Sequence, residues 1–415
     1  TLQLSCYGEK IPMQSLQENA KNLLDNNAKK GKDYYYTAPS RKKYPHQWSW
    51  DSSFHAIVNA RLGRTDLAKE EIATLLSKML PDGTLPHIIF HDRSFASISN
   101  RILRFYWPHS GRSPLVQPPV VALAAKEIWE QTEDTRFLRK TIPLLERHFV
   151  WLTNMRRLGD SSLVSILSPW ESGLDHKPAF DPLLGPVAKL PLGRYLVLYT
   201  SEMRMARLKF NGQKIAERGY FNVREVLFNT VYALGLEALG AMFDAVGDTY
   251  KAKSCRTICE SVENAILNEC YDTDSGLYFD VDVRTGNLLM EPSISCLMPL
   301  ALGNVPDDRY KELIAHLTNP EEFWLDFPVP SVPQNSRYFQ PEDKRYLWRG
   351  PTWINTNWFI VNGLKRHGYD DLAETIAQAS RDLTQQSGFW EYYNPLTGKG
   401  GGAKDFGWST LAAIM

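Results

Sequence analysis

Apolar residues at i, i+3, i+4 and i+7 run through residues 223–248 and stop near Gly247-Asp248, the signature of an amphipathic helix with a defined end. The same spacing continues through 249–272, with Thr249 as the expected cap. Residues 370–388 open with two acids and end at Gly388, as helix dipoles and C-terminal caps favour. Further helices are expected at 11–30, 51–62, 65–80, 118–131, 134–158 and 307–317. Between them lie loops rich in aromatics, proline and glycine, at 81–117, 159–196, 273–306, 323–353 and 389–408. Residues 276–289 alternate around a turn and predict a small β-hairpin. No Ser/Gly-rich linker or charge block divides the chain, so a single domain over 1–415 is expected. Helix, turn, helix and decorated loop recur roughly every 60 to 70 residues. This rhythm predicts an all-α toroid of helical hairpins whose long loops gather on one rim, where function usually sits. An open helical solenoid is the alternative, but it would not need so many aromatics in its loops.

Composition narrows the function classes. Lys plus Arg and Asp plus Glu are 47 each, so no net field attracts nucleic acid or an anionic membrane. No apolar run in the sequence approaches the roughly 18 residues of a membrane span. Five cysteines, Cys6, Cys255, Cys259, Cys270 and Cys296, have no metal-ligand spacing and read as free buried thiols of a reducing compartment. The N-terminal residues lack a charged then apolar leader, and no Asn-x-Ser/Thr acceptor occurs, so a cytoplasmic protein is expected. Neither a metal nor an organic cofactor is implied, and a homo-oligomer is compatible with everything above. Aromatics reach 12%, with 12 tryptophans and 19 tyrosines, and indole faces serve both cores and the C–H faces of sugars.

Four loops carry the candidate chemistry. "SPWESGLDHKPAFDP" (168–182) sets Glu171 and Asp175 four apart beside Trp170, with Asp181 closing the run. By itself this is as well read as acids capping backbone N–H groups of an irregular loop. "GFWEYYNPLTGKGGGAKDFGWST" (388–410) walls Glu391 between Trp390 and Tyr392, and lost hydration should raise its pKa toward useful values. "YPHQWSWDSSFHAIV" (44–58) puts Trp48, Trp50 and Asp51 at the mouth of a helix, fit to stack on a sugar ring and bond its hydroxyls. A helix cap with core aromatics is the plainer reading, and His46 and His55 read as structural. "RYLWRGPTWINTNW" (345–358) combines Trp348, Arg349, Gly350 and Trp353 before a helix, with Gly-Pro letting the backbone approach a ligand and the indoles forming a platform. Two separated carboxylates in such company meet the demands of glycoside hydrolysis, one acid and one base or nucleophile. No nucleophile elbow, P-loop, dinucleotide fingerprint or His-Glu-x-x-His motif competes.

"QWSWDSSFHA", "LPHIIF", "QPPVVA", "PWESGLD", "WRGPTWINTNW" and "EYYNPLTG", in this order over about residues 44–410, resemble glycoside hydrolase family 63, in particular its compact bacterial and plant mannosylglycerate and glucosylglycerate hydrolases. The resemblance implies an (α/α)6 barrel and inversion at the anomeric carbon. It implies Asp175 as general acid and Glu391 as general base. Trp50 and Asp51 would hold the cleaved sugar. Gln117, Trp348 and Trp353 match pocket-lining positions, Gln47, Trp48, His87, Trp170, Glu171, Arg349 and Gly350 belong to the same motifs, and Tyr44 stands three residues before the first of them; all are candidates for binding substrate. Two departures stand out: His176-Lys177-Pro178 replaces the usual Asn-Ser-Pro, and Leu347 replaces a tyrosine before Trp348. Either Arg194 or Lys177 is then the candidate partner of a glycerate carboxylate, while a neutral leaving group, as in kojibiose, stays open. The rival functions are a sugar epimerase, which would need paired pocket histidines that this chain scatters, and a silent sugar-binding protein.

Overall fold

A helix that is apolar all round is a buried one, which describes Val226–Ala245, and two further segments are buried although they carry polar residues such as Asp51, His55, Asn355 and Asn357. In the computed structural model, which describes residues 13–91, 107–109, 111–190 and 192–415, Ser49–Ala60, most of Val226–Ala245 and most of Ile354–Leu364 are buried. The longer helices are α1 (Met13–Asn27), α2 (Ser49–Arg61), α3 (Thr65–Ser77), α4 (Val121–Thr132), α5 (Thr135–Arg156), α6 (Gly193–Arg207), α7 (Val226–Ala245), α8 (Thr249–Glu269), α9 (Asp307–Leu317), α10 (Ile354–Arg366) and α11 (Asp370–Ser387). Two runs of tight 3-10 turns, Ile294–Ala301 and Gly407–Ile414, stand beside them.

The packing order positions the site. α2 packs on α4, α4 on α7, α7 on Ile294–Ala301, that run on α10, α10 on Gly407–Ile414, and the last again on α2. Each of these six has an outer companion: α3, α5, α8, α9, α11 and α1 respectively. The outer helices are amphipathic, and α11 keeps Asp370 and Asp371 in its first turn as expected. α7 is long and apolar enough to cross a membrane by length and composition. Yet 83% of its most apolar window is buried against its neighbours, which makes it a core helix here.

Several sequence expectations are corrected. α8 is capped by the Asp248 carboxylate, which accepts from Lys251 N, and Thr249 is already helical. The first helix ends at Asn27, because Ala28–Lys30 pairs with Tyr35–Thr37. The expected hairpin at 276–289 divides: Leu277–Tyr278 pairs backward with Tyr271–Asp272, while Val281–Asp282 pairs with Val223–Arg224. Only a bridge from Val281 to Leu288 survives of it. Helix α6 begins inside a segment expected as loop, because its buried face mixes charged residues with Leu198 and Met205. It buries Arg194 and Glu202 and exposes Tyr195 and Leu196, so apolar periodicity gives no signal there. Residue 6 and the segment 92–106, part of the expected loop 81–117, lie outside the described residues.

Candidate active site

Glu391 stands on strand Trp390–Tyr393, which pairs with Gly400–Lys404 through a bulge between Gly401 and Lys404. A bulge re-aims backbone groups, and here Ala403 N donates to Glu391 Oε2 at 2.7 Å. Lys43 Nζ reaches the same oxygen at 3.1 Å, and Tyr44 OH donates to Oε1 at 3.0 Å. Among the described residues, each of these hydrogen bonds brings a donor to the buried carboxylate, one of them cationic. Tyr44 remains a phenol, since burial and then the neighbouring Glu391 charge push its pKa well up.

Asp175 lies in a different setting. Its loop begins with the 3-10 turn Pro169–Ser172, capped by Ser168, and passes through left-handed Gly173. A Cβ at 173 would come 2.4 Å from the Trp50 indole, so glycine lets this loop lie against that ring. Asp175 keeps partial solvent access, yet burial lifts its pKa from the ordinary 3.8 to about 7. Arg194 opposes the rise and Glu391 adds to it. The two carboxylates therefore act on each other, and both act on Tyr44 and Tyr195.

A chain of rings joins the four loops. Tyr44 meets Trp48 and Phe406 edge-on, Phe406 meets Trp408, and Trp408 meets both Trp50 (5.5 Å) and Trp353 (5.7 Å). Trp348 stacks on Trp353 at 3.7 Å, and Trp353 faces Tyr392 at 5.0 Å. The 348–353 loop is pinned to the Glu391 strand by paired hydrogen bonds between Thr352 and Tyr393. Asp51 sits in the first turn of α2, buried, with Oδ1 unpartnered among the described residues. Burial, with the charges of Glu391 and Glu71, raises its pKa well above the carboxylate range. Trp48 and Trp353 also have indole N–H groups without partners among the described residues. Such buried polar atoms normally find a partner, and these lie along the ring chain that meets Glu391.

Other sequence candidates hold the frame. Gln117 Oε1 accepts from Trp50 N, Gln47 bonds Ser52 and His91, and His87 bonds Ser113. Burial lowers the His87 pKa to about 3, so it is neutral. Glu171 is fully enclosed: Arg156 holds it through both oxygens at 2.6 and 2.7 Å, and Val116 N and Leu167 N donate to it. It therefore fixes the loop rather than facing a ligand. Trp170 is half-buried against Tyr199. The space beside Gly350 is filled by Pro341, whose N would lie 2.9 Å from a Cβ there, so this glycine admits backbone and not ligand. Lys177 is buried on Glu225 and Asp280 and is unavailable to a leaving group. Arg194 is available in part. It shares Asp181 with Arg349, at 2.7 and 2.6 Å, and donates to Asp175 O. Two guanidiniums on one carboxylate leave a net positive charge beside Asp175.

Sequence reasoning missed Lys43, Tyr195 and the role of Asp181. Lys43 directly precedes a quoted motif, but a lone lysine there reads as surface. Tyr195 belongs to the helix whose buried face mixes charged and apolar residues. Among the described residues, no group of His, Cys, Asp and Glu has a metal-binding arrangement.

A helical frame with two unlike carboxylates amid tryptophans fits a sugar-cleaving enzyme, and the comparisons agree: the chain is a glycoside hydrolase. Residues 44–409 match the mannosylglycerate hydrolase MGH1-like glycoside hydrolase domain, and the chain belongs to that branch of glycoside hydrolase family 63. It is 30% identical to a mannosylglycerate hydrolase of Thermus thermophilus, over 92% of this chain and 96% of that one. It is 28% identical to the glucosylglycerate hydrolase of Mycolicibacterium hassiacum, over 90% and 91% of the two chains. A solved family 63 mannosylglycerate hydrolase, from a second Thermus thermophilus strain and in complex with Tris and D-glycerate, superposes with a TM-score of 0.84 at 29% identity, covering 96% of this chain and 99% of that one.

Proposed function

We propose that this chain is an inverting α-glycosidase acting on a mannosylglycerate- or glucosylglycerate-type substrate, with Asp175 as general acid and Glu391 as general base. Asp175, protonated below about pH 7, gives its proton to the glycosidic oxygen as the C1–O bond breaks. Glu391 takes a proton from a water that attacks C1 from the other face. Inversion needs about 6.5–9.5 Å between the carboxyls to admit that water. One observation carries the reading: the charges of both acids reach Tyr44 and Tyr195, burial pushes Asp175 toward neutrality, and Glu391 is held by the donors Lys43 Nζ, Tyr44 OH and Ala403 N. The closed succession of six inner elements with six outer companions supports an (α/α)6 barrel formed as one domain. Four free, buried thiols at Cys255, Cys259, Cys270 and Cys296 suit a cytoplasmic enzyme.

The surplus positive charge of Arg194 and Arg349 favours an anionic leaving group, in line with the relatives' names. A neutral one, such as the glucose of kojibiose, has its own support, because both guanidiniums already share Asp181. Proton NMR of reactions with mannosylglycerate, glucosylglycerate and kojibiose tests the proposal. Release of a β-anomer is expected from one glycerate substrate. An α-anomer, or a sugar epimerised without loss of its leaving group, refutes it.

A further inference from the structure

Directly after Asp175 the chain reads His176-Lys177, and these two side chains go opposite ways. His176 turns toward the 345–349 loop: its Nδ1 accepts from Leu347 N at 3.3 Å, and its carbonyl accepts from Arg349 Nε at 3.0 Å. Burial takes its pKa to about 3, which leaves the ring neutral and Nδ1 free to accept. Lys177 turns inward and is fully buried, a rare place for an ammonium unless it is paired. Its Nζ lies 2.5 Å from Glu225 Oε1, 2.6 Å from Asp280 Oδ2 and 3.0 Å from Ser295 Oγ, above the Phe180 ring.

All three partners belong to the core. Glu225 caps α7 by accepting from Phe228 N, and Asp280 accepts from Val226 N in the same first turn. Ser295, the second residue of the run Ile294–Ala301, donates to Glu225 Oε1. Two carboxylates at a helix N-terminus are favoured by its dipole, and the single ammonium answers the charge that is left. A buried pair of this kind adds little net stability over an apolar filling, because desolvation offsets the attraction. What it adds is direction: an ammonium fixed by three oxygens determines where the backbone two residues upstream must lie.

We infer that Lys177 is a positioning residue for the general acid, tethering the Asp175 loop to the first turn of α7 and to Ile294–Ala301 so that the carboxyl keeps its buried position opposite Glu391. The inference rests on Asp175 being the acid. Loss of the tether should let the carboxyl move toward solvent. Misplacement by about an ångström is enough to cost on the order of a hundredfold in rate.

Lys177→Met alone strands two buried acids and is expected to unfold easily, so the test uses K177M/E225Q/D280N, which removes all three charges and keeps both cap acceptors. This variant should hold its melting temperature near that of wild type and keep KM on the glycerate substrate that wild type cleaves. Its kcat should fall on the order of a hundredfold, and the basic limb of its pH profile should move below pH 7. Hydrolysis of the corresponding α-glycosyl fluoride, whose leaving group needs no proton, should stay close to wild type. An unchanged kcat and basic limb overturn the tether, and so does equal loss on both substrates, which marks general damage. Full activity of Asp175→Asn would instead remove the acid assignment itself, and that result comes from a separate variant.

Discussion

The two loops that supply the carboxylates are built by opposite means. The Asp175 loop has little regular structure and is held by buried ions: Arg156 on Glu171, Lys177 on Glu225 and Asp280, and Arg194 on Asp181. The Glu391 strand is held by backbone pairing to Gly400–Lys404 and to Thr352, and it takes its charged partner, Lys43, from a half-exposed position. Charge used for scaffolding leaves Asp175 itself with Arg194 as its main opposing charge, and burial wins. Around Glu391 the donors converge on the carboxylate instead. In the proposed mechanism it is environment, not residue type, that divides the roles of the two acids.

The largest expected effect separates these roles directly. Asp175→Asn and Glu391→Gln should each lower turnover of the glycerate substrate by about 10²–10⁴-fold, the usual share of general acid–base catalysis. An α-glycosyl fluoride should rescue the first variant and not the second, as read by fluoride release. Rescue of both, or of Glu391→Gln alone, would reverse or dissolve the assignment. Next comes the scaffold. Arg156→Met leaves Glu171 buried with only backbone donors and should cost about 3–5 kcal/mol of stability, measured by denaturant unfolding. A cost below 1 kcal/mol would mean that ions do not hold this loop.

Much of this contrast was legible in the chain, for uneven reasons. The inner helix α7 announced itself by its apolar periodicity and α2 by the apolar face that begins at Phe54, whereas α10, which buries Asn355 and Asn357, was expected only as the helix that follows the 345–358 loop. The quoted loops were visible because tryptophan, glycine and acids coincide in them. Helix α6 was hidden, since its buried face mixes Arg194 and Glu202 with Leu198 and Met205 while Tyr195 and Leu196 face outward. The hairpin carrying Glu391 was hidden too, because Gly400–Gly402 reads as a turn and its pairing depends on a bulge. Lys177 showed only as a departure from a family pattern. That it faces the core depends on Glu225 and Asp280, 48 and 103 positions away in sequence, and no local pattern encodes such a meeting.

A smaller effect concerns pH. Because the folded pKa of Asp175 is about 7 against an ordinary 3.8, the folded state binds more protons between those values. Stability from this group is therefore complete below about pH 4 and is lost as pH rises to about 7, then stays flat. Partial solvent access keeps the total to a few kcal/mol at most. Asp175→Asn should be no less stable than wild type at pH 8, with the difference shrinking toward pH 4 in chemical denaturation. The wild-type rate should fall above about pH 7 as the acid loses its proton. A rate that stays level to pH 9 would contradict the role of Asp175.

The smallest expected effect tests the other side of the comparison. Lys43 is half-exposed, and an ion pair in such a position is worth about 0.2–1 kcal/mol. Lys43→Met leaves Glu391 with Ala403 N and Tyr44 OH, so kcat should drop by only about fivefold or less. Salt discriminates further. Screening already weakens an exposed pair, so the gap between wild type and Lys43→Met should close as KCl is raised, whereas the loss in K177M/E225Q/D280N should not. If the Lys43 gap is large and indifferent to salt, the ammonium acts inside the water-excluded part of the site. The Glu391 strand would then depend on a buried ion as much as the Asp175 loop does, and the distinction between the two loops would fail.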